Sequence, residues 1–151
     1  MATKKRKGLF HTSRAEVILG LVITALIIIP ICGYTVYINK VEPEVTITED
    51  NVKIAAFLSQ TIEFNAQEID AVELATSLPS GVRVNGLGTS KHLRGNFRYE
   101  GYGATKVFIY RKYPPYILIK LKNKPSVFIN SQSPEKTEAL YTQLSGLVST
   151  P

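Results

Sequence analysis

The segment KVFIYRKYPPYILIKLKNKPSVFIN, residues 106–130, decides the fold of this chain. It contains three short runs rich in β-branched and aromatic residues, which are typical of strands. The runs are residues 106–110, 116–122 and 126–130. Pro114 and Pro115 lie between the first two runs, and neither can donate a hydrogen bond to a sheet. With a further turn at 123–125, the segment predicts three consecutive strands joined by tight turns.

Shorter runs nearer the N-terminus have the same alternating character. They are residues 45–48, 52–54 and 61–64. Residues 68–74 fit either a strand or one short helix. As a strand, this segment would place Ile69 and Ala71 on one face, with Val72 and Leu74 on the other. Many short strands separated by turn residues favour a barrel or a sandwich.

The period changes after residue 132, where a helix is predicted. Ser133 is suited to the N-cap, Pro134 to the first helical position, and Glu135 to the first turn. An apolar stripe at helical spacing follows, and its members are Leu140, Leu144, Leu147 and Val148. We expect this helix to cover an open end of the barrel.

A family resemblance covers roughly Glu44 to Val148. The residues that carry it are SLPSGVRVNG at 77–86, Gly95-Asn96-Phe97, Gly101-Tyr102-Gly103 and Phe128-Ile129-Asn130. With the strands and the terminal helix, they resemble the bacterial pleckstrin-homology-like (PH-like) domains. The resemblance implies a mainly β fold, a split barrel of about seven antiparallel strands closed by a C-terminal helix. It also implies binding or assembly at membranes, without catalytic residues.

Residues 17–39 form an uncharged run that predicts a transmembrane helix. Its 23 residues give a helix of about 34 Å, against a hydrocarbon core of roughly 30 Å. Tyr34 and Tyr37 lie near its end, where aromatic rings prefer the membrane interface. A cleaved secretory signal is the alternative, but no small-residue cleavage site follows the run. We therefore predict an uncleaved anchor.

The charges flanking the run predict its orientation. Five Lys or Arg residues precede it, among them Lys4–Lys7, whereas Lys40 and then several acids follow it. Under the positive-inside rule the N-terminus is cytoplasmic and the C-terminal part lies outside the cytoplasm. The domains are then a basic tail at 1–14, a transmembrane helix at 15–39 and a PH-like domain at 40–151.

The formal charge of +6 at first suggests nucleic-acid binding, but it is concentrated at the N-terminus. Residues 1–40 carry a net +5 and the remainder only +1. Within that remainder, acids dominate 42–73 and bases dominate 83–124. The two halves either pair across the folded sheet, or the bases near Gly86 and Gly88 form a loop that meets anions. The second interpretation assigns an anion- or lipid-facing site to Lys91, Arg94 and Arg98.

Other chemistry finds little support in the sequence. Gly86-Leu87-Gly88 begins a dinucleotide-binding pattern, but Lys91 replaces its third glycine. His92 is the sole histidine after the tail and Cys32 the sole cysteine, so neither a metal site nor a catalytic triad is expected. No enzyme activity, cofactor or nucleic-acid partner is predicted.

The sequence thus predicts a single-pass protein of the cell membrane with a non-catalytic binding or assembly module at its outer face. The partners expected are the lipid bilayer with its anionic headgroups, or another membrane protein. The alternative is a structural subunit of a membrane protein complex.

Overall fold

The computed structural model describes residues 13–40, 42–56 and 60–148. The basic run Lys4–Lys7 lies outside these ranges. The chain divides into two compact units, Met1–Lys40 and Val41–Pro151.

The described residues of the first unit form one helix, α1, at Arg14–Lys40. Ser13 and Glu16 form a capping box at its start: the Ser13 amide donates to the Glu16 carboxylate at 2.9 Å, and the Glu16 amide donates to the Ser13 hydroxyl at 3.3 Å. Within Arg14–Tyr37, an 18-residue stretch has a mean hydropathy of 2.6, and none of that stretch is buried. By length and composition, α1 is a candidate membrane anchor.

The second unit contains nine strands in the described residues, one short 3₁₀ turn and a C-terminal helix, α2. The strands are β1 (Glu44–Ile47), β2 (Asn51–Ala56), β3 (Gln60–Asn65), β4 (Ile69–Ala75), β5 (Gly81–Gly88), β6 (His92–Tyr99), β7 (Gly103–Tyr110), β8 (Tyr116–Leu121) and β9 (Ser126–Ile129). The 3₁₀ turn is Ala66–Glu68, and α2 is Pro134–Val148. The mainly β, PH-like fold with a C-terminal helix is confirmed.

The strands form two sheets. β1, β2 and β3 make an antiparallel three-stranded sheet, and the other six strands pair in the order β4-β8-β9-β7-β6-β5. Within the described residues there are thus nine strands where about seven were expected, and β9 runs parallel to β7. The additional pair, β5 and β6, lies in the glycine-rich region that the alternation of apolar residues does not mark as strand.

Both faces of the six-stranded sheet are buried, so its central strands are almost wholly apolar. On β8, Ile117 and Ile119 point to one face, where the three-stranded sheet and α2 cover them. Leu118 points to the other face and packs with Phe97 and Phe128. This second face is concave, because its residues Leu93, Phe97 and Tyr99 line a cavity.

β4 confirms the strand interpretation of residues 69–75 but corrects the assignment of its faces. A bulge interrupts the pairing between Ile69 and Ala71, which face Leu121 and Lys120 of β8. The extra residue shifts the alternation, so Ile69 and Val72 pack in the same cluster although they are three residues apart.

Helix α2 begins as predicted. The Ser133 hydroxyl accepts the Lys136 amide at 3.2 Å, which makes Ser133 the N-cap. Leu144 is fully buried, and Leu140 and Leu147 pack against the same cluster. Val148, the neighbour of Leu147 in the last turn, is exposed, which corrects its place in the predicted stripe.

Candidate functional site

The predicted site residues Lys91, Arg94 and Arg98 do not lie on one loop. Arg94 and Arg98 belong to strand β6, and Lys91 immediately precedes it. Lys91 and Arg98 are both exposed, but seven residues of strand place them about 23 Å apart. The expectation of a glycine-rich loop is therefore wrong, because these residues pair with β5 and β7 as a strand.

Arg94 faces the protein interior. Its side chain is only 3% exposed, and its Nη2 donates to the Tyr110 hydroxyl at 3.0 Å. The guanidinium carbon also lies 5.5 Å from the centroid of the Tyr110 ring, a cation–π distance. Arg94 is thus placed inside and is unsuited to meet a membrane surface.

His92 shares this buried region. Its ring meets that of Tyr110 edge to face, with the centroids 4.9 Å apart. Within the described part of the chain, its buried Nδ1 has no hydrogen-bond partner. Burial lowers the pKa of His92, and the charges of Arg94 and Lys91 lower it further.

Two glycines set the bend between β5 and β6. Gly86 and Gly95 are cross-strand partners, and both have positive φ angles, 106° and 125°. A Cβ on Gly86 would collide with the Arg94 carbonyl oxygen, and one on Gly95 with the Asn85 carbonyl oxygen. Only glycine lets the two backbones approach this closely.

The ion pairs gather away from this bend. Lys120 contacts Glu73 at 2.6 Å, and Lys124 contacts Glu68 at 2.8 Å. Both contacts join a base of the range 83–124 to an acid of the range 42–73, as expected if the two halves of the domain pair. They raise the pKa of Lys120 and lower that of Glu68, chiefly through the hydrogen bond in each pair. The third ion pair in the described ranges joins Lys136 to Glu42.

Five exposed bases of the β5–β7 region have no carboxylate within 4.0 Å in the residues that the structure describes. We term them the unpaired bases, and they are Arg83, Lys91, Arg98, Arg111 and Lys112. Arg111 and Lys91 are neighbours, since the Arg111 amide donates to the Lys91 carbonyl at 2.9 Å. This region therefore carries positive charge that the described part of the domain does not neutralise.

A cavity of about 670 Å³ opens on the concave face of the six-stranded sheet. Leu78, Leu93 and Phe97 supply apolar surface, and Arg83 and Arg111 contribute positive charge. Burial raises the pKa of the Tyr99 hydroxyl, which also lines the cavity, although Arg111 acts in the opposite direction. None of the described lining residues is acidic, so the cavity suits an anionic group.

A family model for bacterial PH domains matches residues 43–148. The chain belongs to the bacterial PH domain family. No curated protein and no solved structure gives a significant match. PH domains are generally non-catalytic binding modules. In the ranges 13–40, 42–56 and 60–148, no three His, Cys, Asp or Glu side chains gather as a metal site would require.

Strand β5 forms one edge of the six-stranded sheet of this bacterial PH domain, because β6 is its one neighbour among the described strands. Val82 and Val84 are 64% and 63% exposed. A second cavity, of about 630 Å³, lies beside the start of the strand and is lined in part by Val82 and Arg98. The stretch 77–86 contributes to the family resemblance in the sequence, but nothing in it predicted that its valines would be exposed.

The arginines of the concave cavity were also missed. Arg83 and Arg111 are 28 residues apart in the sequence, and both line this cavity. The Arg83 side chain extends along β5, where its Nη1 donates to the Gly86 carbonyl at 3.4 Å. A signal was present, because Arg83 lies between two valines in a strand-like triplet. Without the pairing of β5 with β6, nothing indicated which face it would take.

Proposed function

We propose that this protein is a single-pass, membrane-anchored, non-catalytic binding module. Its helix α1 crosses the cell membrane with the N-terminus in the cytoplasm, and its bacterial PH domain lies at the outer face. The charges flanking α1 support this orientation, and the short connection between α1 and β1 keeps the domain close to the lipid headgroups.

The observation that carries the binding role is the positive charge of the unpaired bases, of which Arg83 and Arg111 line the concave cavity. Exposed bases near a membrane each contribute about 1 kcal/mol of attraction to anionic lipid. We therefore propose that the unpaired bases bind anionic headgroups. The site predicted from sequence is revised accordingly: Lys91 and Arg98 remain in it, Arg94 is removed, and the other three unpaired bases are added, namely Arg83, Arg111 and Lys112.

Vesicle binding tests this proposal. The fragment Val41–Pro151, a compact unit, should co-sediment more strongly with phosphatidylglycerol vesicles than with phosphatidylcholine vesicles. Replacing Arg83, Arg98 and Arg111 together by Gln should weaken the binding by about a hundredfold, at 1 kcal/mol for each base. Added salt should weaken it too, since exposed charges are screened over about 8 Å at physiological ionic strength.

The matched control replaces Lys120, Lys122 and Lys124 by Gln. It removes the same charge from another part of the domain, where Lys120 and Lys124 are already in ion pairs. Equal losses from both triple variants, or equal binding to neutral and anionic vesicles, would contradict a specific anion-binding region.

A structural subunit of a membrane protein complex is the second candidate. The exposed edge strand β5 favours it, because such an edge can pair with another chain. Extraction in a mild detergent, followed by mass measurement, distinguishes the two. A stable hetero-complex supports the subunit, whereas a monomer supports the independent module.

A further inference from the structure

We infer that β5 is an acceptor for an added strand, and that its occupant is an extended acidic segment of a partner protein. This inference goes beyond lipid binding and does not depend on it. Strand addition uses backbone hydrogen bonds for affinity and pockets for alternate side chains for specificity. The geometry of β5 offers both.

The edge strand β5 is exposed over most of its length. β5 has eight residues, as many as any strand of the domain, and seven of them are exposed. Edge strands are usually protected by charge, by proline or by covering elements. β5 contains no proline, and its valines at 82 and 84 project into solvent. Two protective features are present, the charge of Arg83 and a bulge between Arg83 and Asn85, and they leave the stretch 81–83 in regular pairing.

Two cavities adjoin the start of this strand. Arg83 pairs with Phe97, and both line the concave cavity. Val82 pairs with Arg98, and both line the second cavity. Cross-strand partners share a face and successive residues alternate between faces, so the Arg83–Phe97 pair and the Val82–Arg98 pair lie on opposite faces. The two cavities meet at the start of the strand, where Ser80, Gly81 and Tyr99 line both. Successive side chains of an added strand would enter them in turn.

The positive charge of the two cavities favours an acidic occupant. Arg83 and Arg111 line one cavity and Arg98 the other, while Glu100 is the one acid among the described lining residues. A second copy of this chain would bring another Arg83 and Arg98 to the same edge, and facing like charges are destabilising. The carboxylates of an acidic segment would meet an arginine on whichever face they take.

A peptide titration tests the inference on the full chain in phosphatidylcholine nanodiscs. The probe is a fluorescein-labelled octapeptide in which valine alternates with glutamate. Two further octapeptides carry N-methyl groups, one on all the valines and the other on all the glutamates. Because alternate amides point to the same edge of a strand, one methylated peptide should bind as the parent does. The other should lose about tenfold or more, as several ladder hydrogen bonds are removed.

Protein variants locate the contact. Val82→Ser with Val84→Ser should weaken peptide binding, whereas Val148→Ser, at an exposed valine of α2, should leave it unchanged. Arg83→Glu with Arg98→Glu should reverse the preference, toward an octapeptide in which valine alternates with lysine. Hydrogen exchange should show new amide protection within 81–88 when the parent peptide is bound.

Three results would overturn the inference. The first is equal binding of both methylated peptides, which would exclude a backbone ladder. The second is peptide-induced protection confined to another edge, such as 44–47. The third is a dimer in native mass spectra that competes with the peptide for β5, which would make a second copy the occupant. Loss of vesicle binding alone would affect only the proposed function.

Discussion

At the scale of single residues, the paired glycines Gly86 and Gly95 are the most demanding positions in the domain. We predict that Gly95→Ala lowers the free energy of unfolding by about 2 kcal/mol or more, since it adds a backbone clash to a strained φ angle. Urea unfolding of the fragment Val41–Pro151 measures this. Gly146→Ala is the control of opposite sign: its site in α2 has open space, so it should stabilise by about 0.5–1 kcal/mol. An unchanged urea midpoint for Gly95→Ala would contradict the close approach of β5 and β6.

His92 gives a prediction about pH. Its pKa is lowered in the folded state, so the folded domain binds a proton less readily than the unfolded chain, whose histidine titrates near 6.5. The stability is therefore fully present above about pH 6.5 and falls as the pH drops through the lower, folded pKa. His92 is the one histidine of the fragment Val41–Pro151.

The measurement is the urea midpoint of that fragment between pH 7 and pH 5. His92→Gln should flatten the profile across this window. The Glu68–Lys124 pair does not affect this comparison. The pKa of Glu68 is lowered from 4.5, so its carboxyl group titrates below pH 5. A parent profile as flat as that of the variant would show that His92 is as accessible to protons in the folded state as in the unfolded chain.

At the scale of elements, α2 is the helix whose start and buried leucines were predicted from the sequence and confirmed. We predict that Leu144→Ala destabilises the domain by about 2–5 kcal/mol, because it leaves a cavity in the larger core cluster. The exposed Val148→Ala should change the stability by less than about 0.5 kcal/mol. Thermal melts followed by circular dichroism compare the two, and equal melting temperatures would remove α2 from the core.

The contrast between α2 and β6 shows what the sequence could and could not reveal. A cap at Ser133 and leucines at helical spacing are local signals, so they predict the start and the buried face of α2. β7, β8 and β9 were equally readable, since turns separate three apolar runs. β5 and β6 owe their form to the contact of Gly86 with Gly95, which no local period encodes.

The site was harder to predict than the fold for the same reason. A run of bases at 91–98 reads as one patch in sequence, but these bases differ in burial. Arg94 and Arg98 are four residues apart on β6 and so share a face, yet Arg94 is buried against Tyr110 and Arg98 is exposed. Arg83 and Arg111 line one cavity only because β5, β6 and β7 are neighbouring strands.

At the scale of the whole molecule, topology is the property to test. We predict that a cysteine at Gln143 in a Cys32→Ser background reacts with an impermeant maleimide in intact cells. Gln143 is exposed on α2, so labelling reports the side of the membrane and not burial. A cysteine at Thr3 in the same background should react only after lysis. The reverse pattern would place the domain in the cytoplasm and would redirect the search for partners there.

The position of β9 has a consequence for the way in which the domain is made. β9 lies between β7 and β8, although β8 is synthesised before it. The β4–β8 pair and the β5–β6–β7 group are joined in the described sheet only through these four residues. In the nascent chain, the edges of β7 and β8 that face β9 stay unpaired until β9 has been synthesised. At ordinary synthesis speeds this interval lasts about one to four seconds after Tyr110. The six-stranded sheet therefore cannot be completed until β9, the last of its strands in the sequence, has been synthesised.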